Sequence, residues 1–387
     1  MSQAALVPKL RFSEFSDDWE EKRFVDITTK ISDGIHSTPN YDEGGTYSFV
    51  NGNNLVNGVI KINSQTKKVD ENEYTTHQRP LGSNTILISI NGTIGNLALY
   101  NNEKVVLGKS ACYLNINEKD TDKLYVFNLL RTCKIKRFFN SELTGSTIKN
   151  LSLTTIKNTK LNLPTKPEQQ KIAAFLTAVD SKIEQLSKKQ ELLGEYKKGS
   201  MQQIFSQAIR FKADDGSEFP DWEEKKLRDV AKITTGSSNR EDSGLDGQYT
   251  FFDRSEDIRT SDRYLFDGKA VIVAGEGSRF PPKYFEGKFD LHQRTYAIME
   301  FVEANSKYIF YFVDKQKNYL LRYAVGSTVK SLRLPIFQKM PVSLPSLPEQ
   351  TKIANFLSSI DNKIEQVGGQ LDKSKQFKKA LLQQMFV

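Results

Sequence analysis

The chain is poor in the residues from which metal centres, disulfide scaffolds and most nucleophilic sites are built. Its 387 residues include two cysteines, Cys112 and Cys133, three histidines, His36, His77 and His292, and two tryptophans, Trp19 and Trp222. So few cysteines and histidines, so widely scattered, give no zinc-ligand spacing and no disulfide framework, and a reducing cytoplasm is compatible with them. Met1 to Leu10 lacks the apolar stretch of a signal peptide, and no segment approaches the roughly 18 uninterrupted apolar residues of a membrane span. No Ser-His-Asp arrangement can be inferred.

What the chain has in quantity is itself. Residues 164–186 (PTKPEQQKIAAFLTAVDSKIEQL) and 345–367 (PSLPEQTKIANFLSSIDNKIEQV) match at 14 of 23 positions at a constant offset of 181, where unrelated sequence of ordinary composition matches at about one or two. The offset persists upstream, where Gly145 to Lys149 answers Gly326 to Lys330, and downstream, where Lys198 to Phe205 answers Lys379 to Phe386. A second echo opens each half: Asp18-Trp19-Glu20-Glu21-Lys22 recurs as Asp221-Trp222-Glu223-Glu224-Lys225, and Leu10-Arg11-Phe12 resembles Ile209-Arg210-Phe211. Each half is therefore a variable region of about 130–150 residues followed by a near-constant segment of about 40. The pattern reads as one scaffold used twice to present two different surfaces.

Composition allows real cores, with 38% hydrophobic residues, 24 Phe and 15 Tyr, and the net charge of +8 favours an acidic partner such as nucleic acid. The near-constant segments read as long helices. Pro167 and Pro348 suit a first turn, and Glu168 and Glu349 favour the positive end of the helix dipole. A heptad-like stripe follows: Leu176, Val179, Ile183, Leu186 and Leu193 in the first, Leu357, Ile360, Ile364, Val367 and Leu371 in the second. Each helix is expected to run ~35–40 residues, about 55–60 Å. Neither buries its stripe alone, so the two are expected to pair, antiparallel. Gly194 and Gly368-Gly369 mark bends or close packing.

The variable regions read as mixed α/β. Strands are expected at Tyr47–Val50, Thr85–Ile90, Tyr249–Phe252 and Ala270–Ala274, and basic helices over Leu124–Phe139 and Tyr308–Tyr323. Between them lie polar loops such as Asp33–Gly45, Gly236–Asp242 and Gly277–Lys283, whose amides, hydroxyls and guanidiniums suit base edges and phosphates. Catalytic motifs fail on inspection. Gly108-Lys109-Ser110 ends like a phosphate-binding loop, but Glu103 stands where the first glycine is required. Phe280-Pro281-Pro282-Lys283-Tyr284 is similar to the Asn/Asp-Pro-Pro-aromatic motif of adenine methyltransferases, with Phe280 replacing the amide or acid and Lys283 the aromatic. Glu223-Glu224-Lys225 is spaced too tightly for carboxylates from separate strands to share a metal. The chain reads as a binder; a coiled-coil scaffold that reads no DNA is the rival.

The repeated Leu-Pro…Pro-Glu-Gln-x-Lys-Ile-Ala-x-Phe-Leu…Asp-x-Lys-Ile-Glu-Gln segment, the Gly-Ser-Thr-x-Lys run before each copy and the Asp-Trp-Glu-Glu-Lys lead-in resemble the specificity (S) subunit of type I restriction-modification systems. Asp33 to Pro39 and Ile88 to Tyr100 are similar to parts of its target-recognition domains. The resemblance implies a mixed α/β (α+β) fold with a pseudo-twofold repeat: target-recognition domains at 1–163 and 207–344, separated by conserved spacer helices at 164–206 and 345–387 that form an antiparallel coiled coil. It implies double-stranded DNA as ligand, two methyltransferase (M) subunits and restriction (R) subunits as partners, and a cytoplasmic setting. S-adenosylmethionine would belong to M, ATP and magnesium to R, and no catalysis or cofactor to this chain. Candidate DNA-binding residues are His36, Ser37, Thr38, Asn53, Asn54, His77, Gln78, Arg79, Lys109 and Ser110 in the first domain. In the second they are Ser238, Asn239, Arg240, Arg254, Arg279, Lys283, His292, Gln293 and Arg294. Lys149 and Lys330 are candidates for a shared phosphate contact.

Overall fold

The computed structural model describes residues 7–255 and 257–387; Met1–Leu6, and with them most of the N-terminal stretch read above, lie outside the described residues, as does Glu256. The chain divides into two units, Met1–Leu186 with Gln370–Val387, and Ser187–Gly369. Each holds one variable region and a piece of both long helices.

The first unit is built on a four-stranded sheet in the order Thr28–Asp33, Ala111–Ile116, Thr85–Ser89, Leu97–Leu99. The second has the same arrangement in a larger sheet, ordered Lys232–Thr235, Thr295–Met299, Phe266–Ala274, Lys283–Leu291, Tyr249–Phe252, Arg259–Ser261. In both, one strand pairing is parallel: Tyr47–Val50 with Val105–Leu107, and Tyr249–Phe252 with Lys283–Leu291. The two-residue period of a strand sorts its side chains between two cores. Ile86, Ile88, Cys112 and Leu114 enter one, Leu87, Ala111 and Tyr113 the other. Val271, Val273, Tyr296 and Ile298 alternate likewise with Ala270, Ile272, Ala297 and Met299. Both faces are covered, so these strands read as continuous apolar runs.

The expected single helices over 124–139 and 308–323 are each broken in two. Lys123–Leu130 gives way to Cys133–Ser141 at Thr132, whose side chain caps the new helix by accepting from the Ile135 N–H. Ser306–Lys315 is followed by Lys317–Tyr323 across Gln316. Composition carried the helical signal; at Thr132 the break comes from a local cap that competes with the helix backbone, whereas Gln316 makes no such side-chain cap.

The long helices run unbroken over Lys166–Phe205 and Leu347–Gln384, 40 and 38 residues, or roughly 57–60 Å at 1.5 Å per residue. Their constant residues converge on one joint in each unit. Glu168 and Glu349 are fully buried. Arg11 grips Glu168 through Nε at 2.8 Å and Nη2 at 2.7 Å, and Arg210 grips Glu349 through the same atoms at 3.2 and 2.8 Å. The next residues, Gln169 and Gln350, accept from the N–H groups of Asp122 (2.8 Å) and Asn305 (2.7 Å), the N-caps of the helices Lys123–Leu130 and Ser306–Lys315. Trp19 and Trp222 meet Tyr125 and Tyr308 edge-on at 6.4 and 6.2 Å. The lead-in strands Glu20–Arg23 and Glu223–Lys226 pair with Lys160–Leu163 and Pro341–Leu344, which run into the long helices. One difference separates the copies: Trp222 Nε1 donates to Glu349 at 3.1 Å, whereas Trp19 Nε1 is buried without a partner.

Within each unit the helix pieces pair antiparallel. In the first, Ile172, Ala173 and Leu176 share a core with Leu381 and Met385, and Asp180 accepts from Lys378 and from Arg131. In the second, Met201 and Ile204 pack with Ile353, Ala354, Leu357 and Ile360, and Asp361 binds Lys197 at 2.6 Å and Tyr311 at 2.7 Å. Asp180 and Asp361, like Lys197 and Lys378, stand one 181-residue repeat apart, so the same pair is made twice with the helices exchanging roles. Gly368 marks close packing, since a Cβ there would come 2.8 Å from Gln190 Nε2; Gly194 has open space around it, and neither glycine bends its helix out of assignment.

Removing one partner of a buried ion pair leaves the other charge uncompensated, at a cost of about 3–5 kcal/mol. Arg210→Ala is therefore expected to destabilise the second unit by that amount in chemical denaturation of the full chain. Arg210→Lys should recover only part, because an ammonium does not match both carboxylate oxygens. An unchanged unfolding midpoint for Arg210→Ala would refute this account of the joint.

Candidate nucleic-acid interface

The sheet of each unit ends in a set of loops whose course is set by a glycine. In the first unit the chain leaves Thr28–Asp33 and passes so close to the neighbouring strand that a Cβ on Gly34 would lie 2.0 Å from the Leu107 carbonyl oxygen, which accepts from the Ile35 N–H at 2.7 Å. In the second, a Cβ on Gly236 would lie 1.6 Å from the Leu291 oxygen, which accepts from the Ser238 N–H at 3.3 Å. Beside each crossing a tight turn joins two strands: Gly108-Lys109-Ser110 in the first unit, His292-Gln293-Arg294 in the second. The bridges Ile35 to Gly108 and Ser238 to His292 occupy the same topological place.

The first unit gathers a polar set here. His36 Nε2 lies 2.9 Å from Asp33 Oδ2, and Ser37 and Thr38 are exposed beside it. Asn53 is exposed on the short turn Gly52–Asn54; Asn54 is bound to its own loop, accepting from the Asn51 N–H and donating to the Lys61 carbonyl. Ser110 donates to Asn51 and accepts from the Gly52 N–H, so it pins the loops together, while neighbouring Lys109 is exposed. Gly108-Lys109-Ser110 leads into a strand, and a Cβ on Gly108 would meet Asn51 Oδ1 at 2.3 Å, which leaves no room for a phosphate cradle.

His77 ends the helix Glu71–His77, and Gln78 and Arg79 follow it. That helix lies against the first loop, with Tyr74 packed on the cluster that holds Ile35 and Glu73 accepting from Asn40 at 2.7 Å, while His77 Nε2 lies 3.4 Å from Glu73 and the Pro80 carbonyl accepts from Asn115. The same tripeptide occurs at 292–294, yet the topological counterpart of 292–294 is 108–110. The identity is one of letters, not of position.

In the second unit the chosen residues do meet. Arg240, Arg254, His292, Gln293 and Arg294 line a cavity of about 220 Å³ together with Asp253 and Glu276. Asn239 accepts from Gln293 at 2.8 Å. Arg240 Nη1 reaches Asp253 at 2.9 Å, and Glu276 receives both Arg294 Nη1 (2.6 Å) and Arg254 Nη1 (3.3 Å). Arg279 and Lys283 line an adjoining hollow that shares Asp253, Arg254 and Glu276; Lys283 donates to the Ser255 carbonyl. Ser238 departs from the expectation of an outward loop residue: it is fully buried and donates to Asp290 at 2.5 Å. Asp290, also fully buried, accepts from Ser261 and from the Leu291 N–H, and so clamps the loop base. Phe280 is fully buried in the main core of this unit, which accounts for its place in the proline run.

Sequence reasoning missed Asp253, Glu276, Asp290 and Arg263, which donates to Ser238 and Asp242. A search for phosphate and base binders passes over carboxylates, and only the fold places these beside arginines. The two Gly-Ser-Thr loops are alike. Gly145 (φ 88°) and Gly326 (φ 108°) take the left-handed region that glycine tolerates, and each loop is closed by paired backbone bonds, Thr144 with Asn150 and Val325 with Ser331. Both lie against the turn after the central strand: Lys149 O accepts from the Gly92 N–H, and Lys330 pairs with Gly277.

Among the described residues no group of three or more His, Cys, Asp and Glu could hold a metal ion, and no helix is long and apolar enough to cross a membrane. A mixed α/β unit built twice, each copy with polar loop clusters and a pair of long-helix segments, defines a class of internally duplicated proteins. The family model for the type I restriction modification DNA specificity domain matches residues 16–193 and again 220–373, and the chain belongs to that family. It is 31% identical to the EcoDI specificity subunit of Escherichia coli over 166 residues, 42% of this chain and 37% of that one. It is 26% identical to the MjaVIII specificity subunit of Methanocaldococcus jannaschii over 90% of this chain and 87% of that one. The fold is shared with the crystal structure of a type I restriction-modification S subunit from M. genitalium, with a TM-score of 0.66 and 16% identity over 99% of each chain.

Burial lowers the pKa of His292; Asp253 opposes this, and Arg294 and Arg254 add to it. Its Nδ1 accepts from the Arg294 N–H at 3.0 Å, a bond that needs a deprotonated Nδ1. With the folded pKa below the ordinary 6.5, the unfolded state takes up the proton first. The contribution of His292 to stability is thus full above pH 6.5 and is lost as pH falls through the folded value. An NMR titration of the His292 ring should give a midpoint below 6.5, and His292→Gln should flatten that part of the pH–stability curve; a midpoint at or above 6.5 would contradict it.

Proposed function

We propose that this chain is a non-catalytic specificity subunit that reads a bipartite, asymmetric DNA sequence and brings methyltransferase and restriction subunits to it. The observation that carries the reading is a single scaffold built twice, with the same joint and helix in both copies and different loops at the sheet ends. In this reading 1–163 and 207–344 are the target-recognition domains, and 164–206 and 345–387 are the spacer helices. Two unlike readers on one chain do what a symmetric dimer cannot: they specify a non-palindromic site.

Arg240, Arg254, His292, Gln293, Arg294, Asn239, Arg279 and Lys283 would face one half-site, and His36, Ser37, Thr38, Asn53 and Lys109 the other, in the major groove, where each base pair has its own donor and acceptor pattern. Lys149 and Lys330, on like loops in both units, suit the one feature common to both half-sites, the phosphate backbone. The net charge of +8 suits that contact too and makes binding salt-dependent. The long helices would set the unspecified gap and offer a repeated surface to two methyltransferase subunits. S-adenosylmethionine would be held by those subunits, and ATP and magnesium by the restriction subunits, in the cytoplasm.

The test is a methylome. With the chain expressed beside its neighbouring methyltransferase subunit in a methylation-free host, long-read mapping of N6-methyladenine should show one bipartite motif with a fixed gap. A competent methyltransferase that gains no motif from this chain would turn the reading toward a scaffold that reads no DNA. Replacing residues 219–344 by the corresponding region of another family member should change one half-site and leave the other intact; a motif unaltered by that exchange would exclude separate readers.

A further inference from the structure

The second recognition domain backs its arginines with carboxylates, and this bears on which bases it reads. Glu276 is nearly buried, its side chain 15% exposed, while the arginines it binds are 61% exposed at Arg254 and 63% at Arg294. The backbone that carries the carboxylate is fixed, because Glu276 pairs with Ser331 in a short antiparallel ladder. Arg254 follows the strand Tyr249–Phe252 and Arg294 sits in the turn before Thr295–Met299, so one carboxylate holds guanidiniums from two separate loops. Each donates through Nη1, which leaves the Nε–Nη2 edge, with its two parallel N–H groups, directed away from Glu276. Arg240 repeats the arrangement on Asp253, a buried carboxylate itself pinned by the Ser255 N–H and hydroxyl.

A phosphate gains less from such an arrangement, since Glu276 and Asp253 repel it and offset two of the three arginine charges. A neutral pair of acceptors gains fully, because the fork arrives already oriented. In the major groove guanine offers that pair, O6 and N7, and arginine matches it with two bonds. We propose that Arg294 and Arg254 read guanines in the half-site of the second unit, and that Glu276 is the positioning residue that aims both. The inference rests on the proposed function and adds the base identity to it.

The experiment uses the full chain in complex with its methyltransferase subunits. The methylome is mapped for the parent chain and for Arg294→Ala, Arg254→Ala and Glu276→Gln, alongside binding to duplexes in which single guanines are replaced by 7-deazaguanine, which lacks the N7 acceptor. Each arginine variant should relax one G·C position of the second half-site and leave the first half-site unchanged. The loss in discrimination should be about ten- to a hundredfold, the range of a bidentate contact. Glu276→Gln should weaken both positions while complex formation and thermal melting stay as in the parent. 7-Deazaguanine at the position read by Arg294 should weaken binding by the parent and add nothing to Arg294→Ala. The inference is overturned if the arginine variants relax A·T positions, or if they lower methylation equally at all sites with a shallower salt dependence, as a phosphate contact would. It is also overturned if 7-deazaguanine weakens parent and variant alike. A chain that directs no methylation at all would instead sink the specificity reading on which the inference stands.

Discussion

Two buried carboxylates, Glu168 and Glu349, organise everything around them. Each sits at the head of a long helix, fully out of water, and is tolerable there only because an arginine from an upstream segment brings two bonds and a compensating charge. The same arginines donate to carbonyls of their own lead-in segments, Asp17 in one unit and Phe219 and Pro220 in the other, so the ion pair ties that segment to the helix head. The adjacent glutamines hold the N-cap residue of a core helix in each variable region, Asp122 in one and Asn305 in the other. The near-identity of the repeated residues has its reason in this joint: few other side chains satisfy a charge, a cap and a core at one place.

From that joint outward, constraint gives way to variation. The sheets keep the same strand order and the same parallel pairing in both units, and Gly34 and Gly236 keep the same close crossing. Past the crossing the two loop sets share little. The first relies on amides and hydroxyls knitted together by Ser110 and Asn51, the second on three arginines held by Asp253 and Glu276. A frame that stays constant while its loops vary is the usual way a scaffold carries binding residues.

The helix pairing follows a related logic. Asp180 with Lys378, and Asp361 with Lys197, place one charged pair in each unit amid apolar packing. Polar pairs of this kind add little stability and favour one register over its neighbours, because a slipped helix would leave them unpaired.

The sequence by itself determined the duplication, the long helices and the apolar strands. These are signals of local period and of identity at fixed offset, and they survive without knowledge of what packs where. Tyr47–Val50 and Tyr249–Phe252 stand as strands where they were expected, and the stripes from Leu176 and Leu357 are the covered faces of their helices. Tertiary structure decided what depends on residues distant in the chain. It split two helices at Thr132 and Gln316, buried Ser238 against Asp290, and gave the tripeptide 77–79 a different topological position from the identical 292–294. Above all it set Glu276 behind Arg254 and Arg294. Whether a glutamate is a solvated surface charge or a buttress depends on which strands pair beside it, and that is fixed by register across the sheet rather than by any neighbour in sequence.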